Sequence, residues 1–380
     1  MDVPAPLYDE AVRLLRSLSG SHGIRASSST TANYSAVFTR DAVMAGIAGL
    51  LTEDPIISRA LARTLEHLRD LQGSEGQIAS NYHLPAGQPP TISFGTLVPR
   101  IDATTWYIIG VALGSRAGVV DSSPFRDSVQ SVIRLLDALE YNGRHLIYVP
   151  VGGNWADEYI YDGYILHDQV LRAWALRLAA GVFEEPAWRE KADRIERAIE
   201  ANYWPDDNAR TYPLAAFSPA RVHDVFDLAT CSLLALAGIA PRIGARSLDF
   251  VVERWLGRGE LPPAFYPTIT ESHGDWAALN RYHLHGFRNR PHEYHNGGVW
   301  PIWLGWLALA LARGGRGAEL ERLRAALFAR LPARDGYGFE EFLHGETGRP
   351  GGTAQMAYSA TGIIFLSVAS SAAKLKLLGT

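Results

Sequence analysis

Apolar residues recur at positions i, i+3, i+4 and i+7 along almost the whole chain, and few stretches alternate with a period of two. This pattern predicts an almost entirely helical protein with twelve helices of two alternating kinds. Helices of the first kind are amphipathic and rich in charge, and span about 6–19, 56–72, 124–140, 186–203, 246–259 and 317–332. Helices of the second kind are apolar on nearly every face, and span about 41–52, 102–118, 162–183, 225–240, 297–315 and 353–371.

The two kinds of helix differ sharply in charge, with 32 charged residues in the first set and nine in the second. A helix that is apolar on every face must be covered on every face. We therefore predict an all-α fold, an (α/α)6 barrel of six helical hairpins, in which one domain spans residues 1–380. An open solenoid of helix pairs would give the same alternation, but solenoids usually show a recurring consensus, which this chain lacks.

Composition excludes several classes of protein. With 47% hydrophobic and 20% charged residues, neither a disordered chain nor a coiled coil is expected. A net charge of −4 gives no reason to expect nucleic acid as a partner. Cys231 is the single cysteine, so no disulfide can form within the chain. Oligomeric state stays open.

The sequence predicts neither secretion nor a membrane span. The N-terminus lacks the basic and apolar regions of a signal peptide, so we expect a cytoplasmic protein. The stretch Gly351–Ala373 carries no charge and is long enough to cross a bilayer. Its glycine, serine and other polar residues instead predict a helix buried inside the protein.

The segments that lead into the second kind of helix are dense with aromatic, acidic and amide residues. In a barrel these segments would open onto one rim. Aromatic rings stack on the C–H faces of a sugar while polar groups bind its hydroxyls, so the rim is typical of a small saccharide site. The segments are 33–41, 98–106, 154–162, 221–227, 292–300 and 339–355.

No competing catalytic signature is present. The chain has no G-x-S-x-G elbow, Walker lysine loop or dinucleotide-binding G-x-G-x-x-G. His292 and His295 are one residue too close for the H-E-x-x-H spacing that places two zinc ligands on one helical face. We therefore expect neither a metal nor an organic cofactor.

Five blocks of the rim segments and the helices after them carry a family resemblance. They are NYSAVFTRDAV (33–43), PRIDATTWYIIGV (99–111), the Asp of NWADEYIYDGY (154–164), FRNRPHEYHNGGVWPIWLGWLALAL (287–311) and FEEFLHGETGRPGGTAQMAYSATGIIFL (339–366). Together they resemble the alkaline and neutral invertases, a family of glycoside hydrolases, and more loosely the glucosidase domain of glycogen-debranching enzymes. The resemblance implies an (α/α)6 fold and hydrolysis of a glucosidic bond, with sucrose as the first substrate to consider. The basic residues that follow the family's acid are missing, because Glu158 and Tyr159 stand there.

Glycoside hydrolysis requires one carboxylic acid and one carboxylate. The resemblance implies Asp157 as the general acid and Glu341 as the base, with the adjacent Glu340 as the alternative base. Trp155 and Tyr159 are expected to shield Asp157 from water and raise its pKa. A structural alternative for Asp157 is an acid that stabilises the following helix. Related barrels make inversion of the anomeric centre the expectation.

Further residues are predicted to contact the substrate or to support the acid. The predicted substrate contacts are Arg40, Asp41, Asp102, Trp155, His295, Asn296 and Gln355. Three polar residues on an otherwise apolar helix, His167, Asp168 and Gln169, either hold Asp157 from beneath or line the pocket.

Other functions use the same barrel. A sugar 2-epimerase would move a proton with histidines such as His283, His285, His292 and His295. A debranching-type α-1,6-glucosidase would keep the paired carboxylates and change the linkage. A sugar-binding protein without activity would fit the aromatic rim, but it gives no reason for Asp157 and Glu341 together.

Overall fold

Uncharged segments of this sequence fold into helices that are enclosed on every side, because no face of them can be left in water. The computed structural model describes residues 3–30, 33–95, 98–205, 210–281, 286–331 and 337–379. Within these ranges the helices are α1 (Ala5–Leu18), α2 (Thr39–Thr52), α3 (Pro55–Asp70), α4 (Ile101–Arg116), α5 (Arg126–Ala138), α6 (Leu166–Phe183), α7 (Pro186–Asn202), α8 (Leu228–Ala237), α9 (Pro241–Arg254), α10 (Trp276–Leu279), α11 (Pro301–Arg313), α12 (Gly317–Phe328), α13 (Ala357–Val368) and α14 (Ala372–Leu375).

Six of these helices form a closed inner ring. Each inner helix packs against the next one in the order α2, α4, α6, α8, α11 and α13, and α13 packs against α2 to close the ring. The predicted barrel is thereby confirmed, and the open solenoid is wrong. The first helix, α1, packs against α13, whereas α3, α7, α9 and α12 each pack against the inner helix that precedes them in the chain. The N-terminal helix therefore completes the C-terminal hairpin.

The outer helices bury one stripe and expose the rest. In α7, which begins at Pro186, the buried residues are Ala192, Ile195 and Ile199, spaced three and four apart. Each of the twelve predicted helices has a counterpart, and only the short α10 and α14 were not predicted. The prediction placed α9 at 246–259, whereas the helix starts at Pro241.

Short strands link the rim segments in front of the inner helices. The strands, each two or three residues long, are β1 (Ser19–Gly20), β2 (Gly23–Ile24), β3 (Val37–Phe38), β4 (Asn81–His83), β5 (Thr91–Ser93), β6 (Tyr164–Ile165), β7 (Ala216–Ser218), β8 (Arg221–His223), β9 (Phe226–Asp227), β10 (Phe265–Tyr266), β11 (Phe342–Leu343) and β12 (Pro350–Gly351). They pair antiparallel as β1–β2, β3–β4–β5, β6–β7–β8, β9–β10 and β11–β12. Because β6 and β9 occupy the predicted starts of inner helices, α6 and α8 begin a few residues later than predicted.

The charge-free segment near the C-terminus forms α13, which is buried over almost its whole length. Serine and threonine hydroxyls on it are enclosed with its apolar residues, as at Ser359 and Thr361. None of the described helices combines the length and apolar character that a bilayer crossing needs.

Candidate active site

A cavity of about 520 Å³ opens at the rim of the barrel. This volume lies in the range of small-molecule sites. Five of the six predicted rim segments contribute to its wall, and the segment 221–227 does not. The β4 and β5 strands supply a further side that the sequence did not indicate. Six predicted site residues line the cavity: Arg40, Asp41, Asp102, Trp155, Asp157 and Glu341.

Glu341 is held on the cavity wall by two hydrogen bonds. The Tyr34 hydroxyl donates to Oε1 at 2.7 Å, and the Thr353 backbone N–H donates to Oε2 at 2.9 Å. Gly352 permits this close approach, because a Cβ there would lie 2.8 Å from the Glu341 Cβ and its φ is +79°. The adjacent Glu340 does not line the cavity. The geometry therefore favours Glu341 over Glu340 as the base.

Burial raises the pKa of Glu341 above the ordinary glutamate value. Hydrogen bonds from Thr353 and Tyr34 and the charge of Arg288 oppose this rise, while the Asp157 carboxylate adds to it. A base with a raised pKa is a stronger proton acceptor at neutral pH. The environment of Glu341 therefore suits proton abstraction from water.

Asp157 lies in a turn, and its environment differs from the predicted apolar shield. The Asp157 side chain is 28% exposed, and its Oδ2 pairs with Arg100 Nη2 at 2.9 Å. The rings of Trp155 and Tyr159 each stack on Phe265, at 5.4 and 4.1 Å between centroids. Because α6 begins only at Leu166, a role for Asp157 in stabilising that helix N-terminus does not apply.

Arg40, Asp41 and Asp102 form a buried polar corner of the cavity. They lie in the first turns of α2 and α4, and Arg40 Nη1 donates to Asp102 Oδ2 at 2.8 Å. Burial raises the pKa of Asp41 to about 6, with the Arg40 charge opposing the rise. Within the described residues Asp102 Oδ1 has no hydrogen-bond partner, and Asp41 Oδ1 has only a longer ion-pair contact with Arg40 Nε at 3.5 Å. Such buried acceptors match the hydroxyl donors of a sugar.

Three other predicted substrate contacts lie outside the cavity wall. His295 is enclosed between Tyr294, Trp155 and Trp300, and burial holds the pKa of its ring well below the ordinary value. The Asn296 side chain is occupied by backbone groups of Ile269 and Asn289.

Gln355 is exposed in a left-handed conformation with φ of 57°, and its side-chain amide donates to the Gly338 carbonyl at 3.3 Å. His295, Asn296 and Gln355 therefore contribute to the scaffold of the rim.

Of the three predicted polar residues on α6, Asp168 supports the loop that carries Asp157, here called the acid loop (154–158). Asn154 Nδ2 donates to Asp168 Oδ2 at 2.9 Å, and Asn154 Oδ1 accepts the Ala156 N–H at 3.1 Å, one residue before Asp157. Burial raises the pKa of Asp168 and lowers that of His167 to about 3. Gln169 binds the backbone of Ile147.

None of the histidines that the structure describes lines the cavity. His292 pairs with Glu346 at 3.2 Å, and neither His292 nor His295 lines the wall, while His283 and His285 lie outside the described residues. Among the described residues, no three His, Cys, Asp or Glu side chains are grouped so as to hold a metal ion.

The polar residues of the cavity wall that the sequence did not indicate include Tyr34, Arg100 and Arg288. All three lie inside blocks that carry the family resemblance, at 33–43, 99–111 and 287–311. Their partners are distant in sequence, since Tyr34 binds Glu341 and Arg288 binds Glu158. Only the fold brings these pairs together.

Comparison with known proteins agrees with the fold and with the motifs. No family model matches the chain. An Arabidopsis thaliana protein named "Probable alkaline/neutral invertase D" is 23% identical over 388 aligned positions, which cover 83% of this chain and 71% of the relative. The chain resembles the alkaline and neutral invertases.

Solved structures extend the comparison beyond these invertases. GH63 mannosylglycerate hydrolase from Thermus thermophilus, in complex with Tris, is 17% identical with a TM-score of 0.69 over 95% of this chain and 99% of its own. A bacterial glucoamylase complexed with acarbose is 15% identical with a TM-score of 0.68 over 96% of this chain and 55% of its own. The invertase-like relative and these structural neighbours are glycoside hydrolases, and the neighbours share the fold.

In this invertase-like chain, replacing Tyr34 with phenylalanine tests the electrostatics of Glu341. The Tyr34 hydrogen bond stabilises the ionised carboxylate, so its loss should raise the pKa of Glu341 further. As the pH is lowered, Glu341 should then become protonated, and activity should be lost, at a higher pH than in the wild type. The acidic limb of the kcat/KM profile should therefore move up by about one pH unit. A pH profile of Y34F beside that of Y8F, whose ring lies outside the cavity, measures this. An acidic limb that does not move would contradict the assignment.

Proposed function

We propose that this chain hydrolyses an α-glucosidic bond in a small saccharide, with Asp157 as general acid and Glu341 as general base, within one domain spanning residues 1–380. The observation that carries the proposal is the presence of both carboxylates on one cavity wall, in separate environments. Two carboxyl groups with different surroundings can take different proton-transfer roles.

The proposed reaction follows an inverting course. Glu341 accepts a proton from water as the water oxygen attacks the anomeric carbon. The bond from that carbon to the leaving oxygen breaks, and Asp157 gives its proton to that oxygen. Arg40, Asp41 and Asp102 would bind the hydroxyls of the glucosyl unit, since Asp41 and Asp102 keep buried acceptor atoms. Trp155 would pack against the ring of the sugar.

Sucrose is the first proposed substrate, because the invertase-like blocks include both candidate catalysts. A second candidate is a glucoside whose leaving group carries a carboxylate. Arg100 favours it: when Asp157 is protonated to act as the acid, the guanidinium loses its anionic partner in a poorly solvated wall. A leaving-group carboxylate would restore that pairing. The Thermus neighbour is a mannosylglycerate hydrolase, in line with an acid of this kind as leaving group.

A product-release assay tests the proposal and separates the two substrates. Sucrose, trehalose, maltose and isomaltose are compared with glucosylglycerate and glucosylglycerol. The last two differ from each other only in that glycerate has a carboxylate where glycerol has a hydroxymethyl group. We expect glucose to appear first as the β-anomer by NMR. Sucrose cleavage supports the first substrate, and a preference for glucosylglycerate over glucosylglycerol that disappears in R100Q supports the second. Absence of glucose from every compound would contradict the proposed function, and α-glucose would contradict inversion.

A further inference from the structure

Glu158, which follows the proposed acid directly, makes a partly buried ion pair with Arg288. The two side chains meet as a fork, with Nε to Oε2 at 3.2 Å and Nη2 bonded to Oε1. The Glu158 side chain is 7% exposed. A two-point guanidinium–carboxylate pair fixes both partners in orientation as well as in distance. Glu158, the residue after Asp157 at which this chain departs from the invertase pattern, is therefore held by a specific contact.

The chain around Arg288 also holds the backbone of the acid loop. Asn289 Nδ2 donates to the Glu158 carbonyl at 2.9 Å. The Asn289 carbonyl in turn accepts Asn296 Nδ2 at 3.0 Å, and its Oδ1 accepts the His295 N–H at 3.1 Å. Both the side chain and the carbonyl of Glu158 are thus anchored to one segment. A shift of this segment would carry Asp157 with it.

Arg288 reaches towards the base as well. Its guanidinium lies over the Tyr294 ring, 4.1 Å from the centroid, and both residues line the cavity. The Arg288 charge acts on the Tyr34 hydroxyl, which binds Glu341, and on Glu341 itself. One guanidinium therefore connects the loop of Asp157 with the wall that holds Glu341.

We infer that Arg288 is a positioning residue that, through Glu158, holds the acid loop at a fixed separation from the base. The inference rests on the proposed function, because it concerns the spacing of the two proposed catalysts. Carboxylate spacing decides whether a water molecule fits between acid and base. A displacement of about 1 Å at a reacting group can cost about 10²-fold in rate.

The positive charge of Arg288 also acts on the pKa of Glu341, so the inference can be tested by the pH dependence of the reaction. The groups that act on Glu341 are the Tyr34 hydroxyl, the Thr353 N–H, Arg288 and the carboxylates of Asp157 and Asp41, with Tyr294 beside them. Removing the positive charge of Arg288 raises the pKa of Glu341. Removing the negative charge of Glu158 leaves Arg288 unneutralised and lowers it.

Three variants separate geometry from charge. In R288M we expect kcat to fall about 10²-fold, and the acidic limb of kcat/KM to move to higher pH. R288K keeps the charge but loses the fork, so kcat should fall while the limb stays near its original pH. In E158Q kcat should fall and the limb should move to lower pH. Opposite movements in R288M and E158Q would not arise from a general loss of stability.

Arg16 supplies a control, because it also pairs with a carboxylate, Asp54 at 2.7 Å, and neither residue lines the cavity. R16M should leave both kcat and the pH profile unchanged. Wild-type kcat in R288K and E158Q, or an acidic limb that does not move in E158Q, would overturn the inference even if R288M folds poorly. If D157N and E341Q are inactive while the Arg288 and Glu158 variants behave as wild type, the inference alone fails. Full activity in D157N or E341Q would instead overturn the proposed function.

Discussion

Glu341→Gln is expected to lower kcat about 10²- to 10⁴-fold, because an amide cannot accept the proton of the attacking water. Glutamine keeps the size of the side chain and can still accept the Tyr34 hydrogen bond that Glu341 Oε1 receives at 2.7 Å, whereas its NH2 group cannot accept the Thr353 N–H bound at Oε2. Far-UV circular dichroism should therefore match the wild type, and the melting temperature should fall only by the loss of about one hydrogen bond. Steady-state hydrolysis of the substrate found by the release assay measures the loss.

The neighbouring glutamate provides the matched control. Glu340 lies outside the cavity wall, so E340Q should hydrolyse at close to the wild-type rate. Azide needs no deprotonation before it attacks, and it should restore turnover to E341Q while forming a glucosyl azide. If E340Q lost activity as severely as E341Q, or if E341Q stayed fully active, the assignment of the base would be wrong.

Asp157→Asn is expected to lower hydrolysis of unactivated glucosides by a similar factor of about 10²- to 10⁴-fold, because asparagine has no acidic proton to give to the leaving oxygen. The loss should depend on the leaving group. With α-glucosyl fluoride, where fluoride departs with little help from an acid, D157N should retain most of its activity. E341Q should lose activity on both substrates, since its defect lies in the attack of water.

An acid at the same rim, Asp162, pairs with His223 at 3.1 Å and does not line the cavity, so D162N is the isosteric control. It should behave as the wild type on every substrate. A uniform loss in D157N across sucrose-type glucosides and the fluoride would show that Asp157 acts on binding or folding and not on the leaving group. Equal losses in D157N and D162N would indicate damage to the rim as a whole.

The ring of helices could be predicted because each element carries its own signal. Charge is nearly absent from inner helices such as α2 and α13 and abundant in outer ones such as α7, and enclosure follows from that difference alone. The first residues of the inner helices could not be predicted in the same way. The residues just before them, such as Phe226 and Asp227 before α8, pair as strands across the rim. Strand pairing depends on a partner far along the chain.

The catalytic candidates could be predicted because they belong to recognisable sequence blocks, whereas the direction in which a neighbouring side chain points could not. Asp157 and Glu341 stand inside blocks that carry the invertase resemblance, and both line the cavity. His295 and Asn296 stand in an equally distinctive block, yet they turn inward to hold the loop. Composition could not separate these outcomes, since a buried amide looks the same in sequence whether it binds a ligand or a backbone carbonyl.

The contact of α1 with α13 has a consequence for biosynthesis. The helix at 5–18 leaves the ribosome before the one at 357–368, and the more than three hundred residues between them must be translated before the two can meet. Until then α1 lacks α13, the helix with which it makes most of its contacts. Nascent chains that stall short of α13 should therefore expose the surface of α1 that packs against it to chaperones and proteases, and shortening the chain at either end should leave the same seam of the ring open.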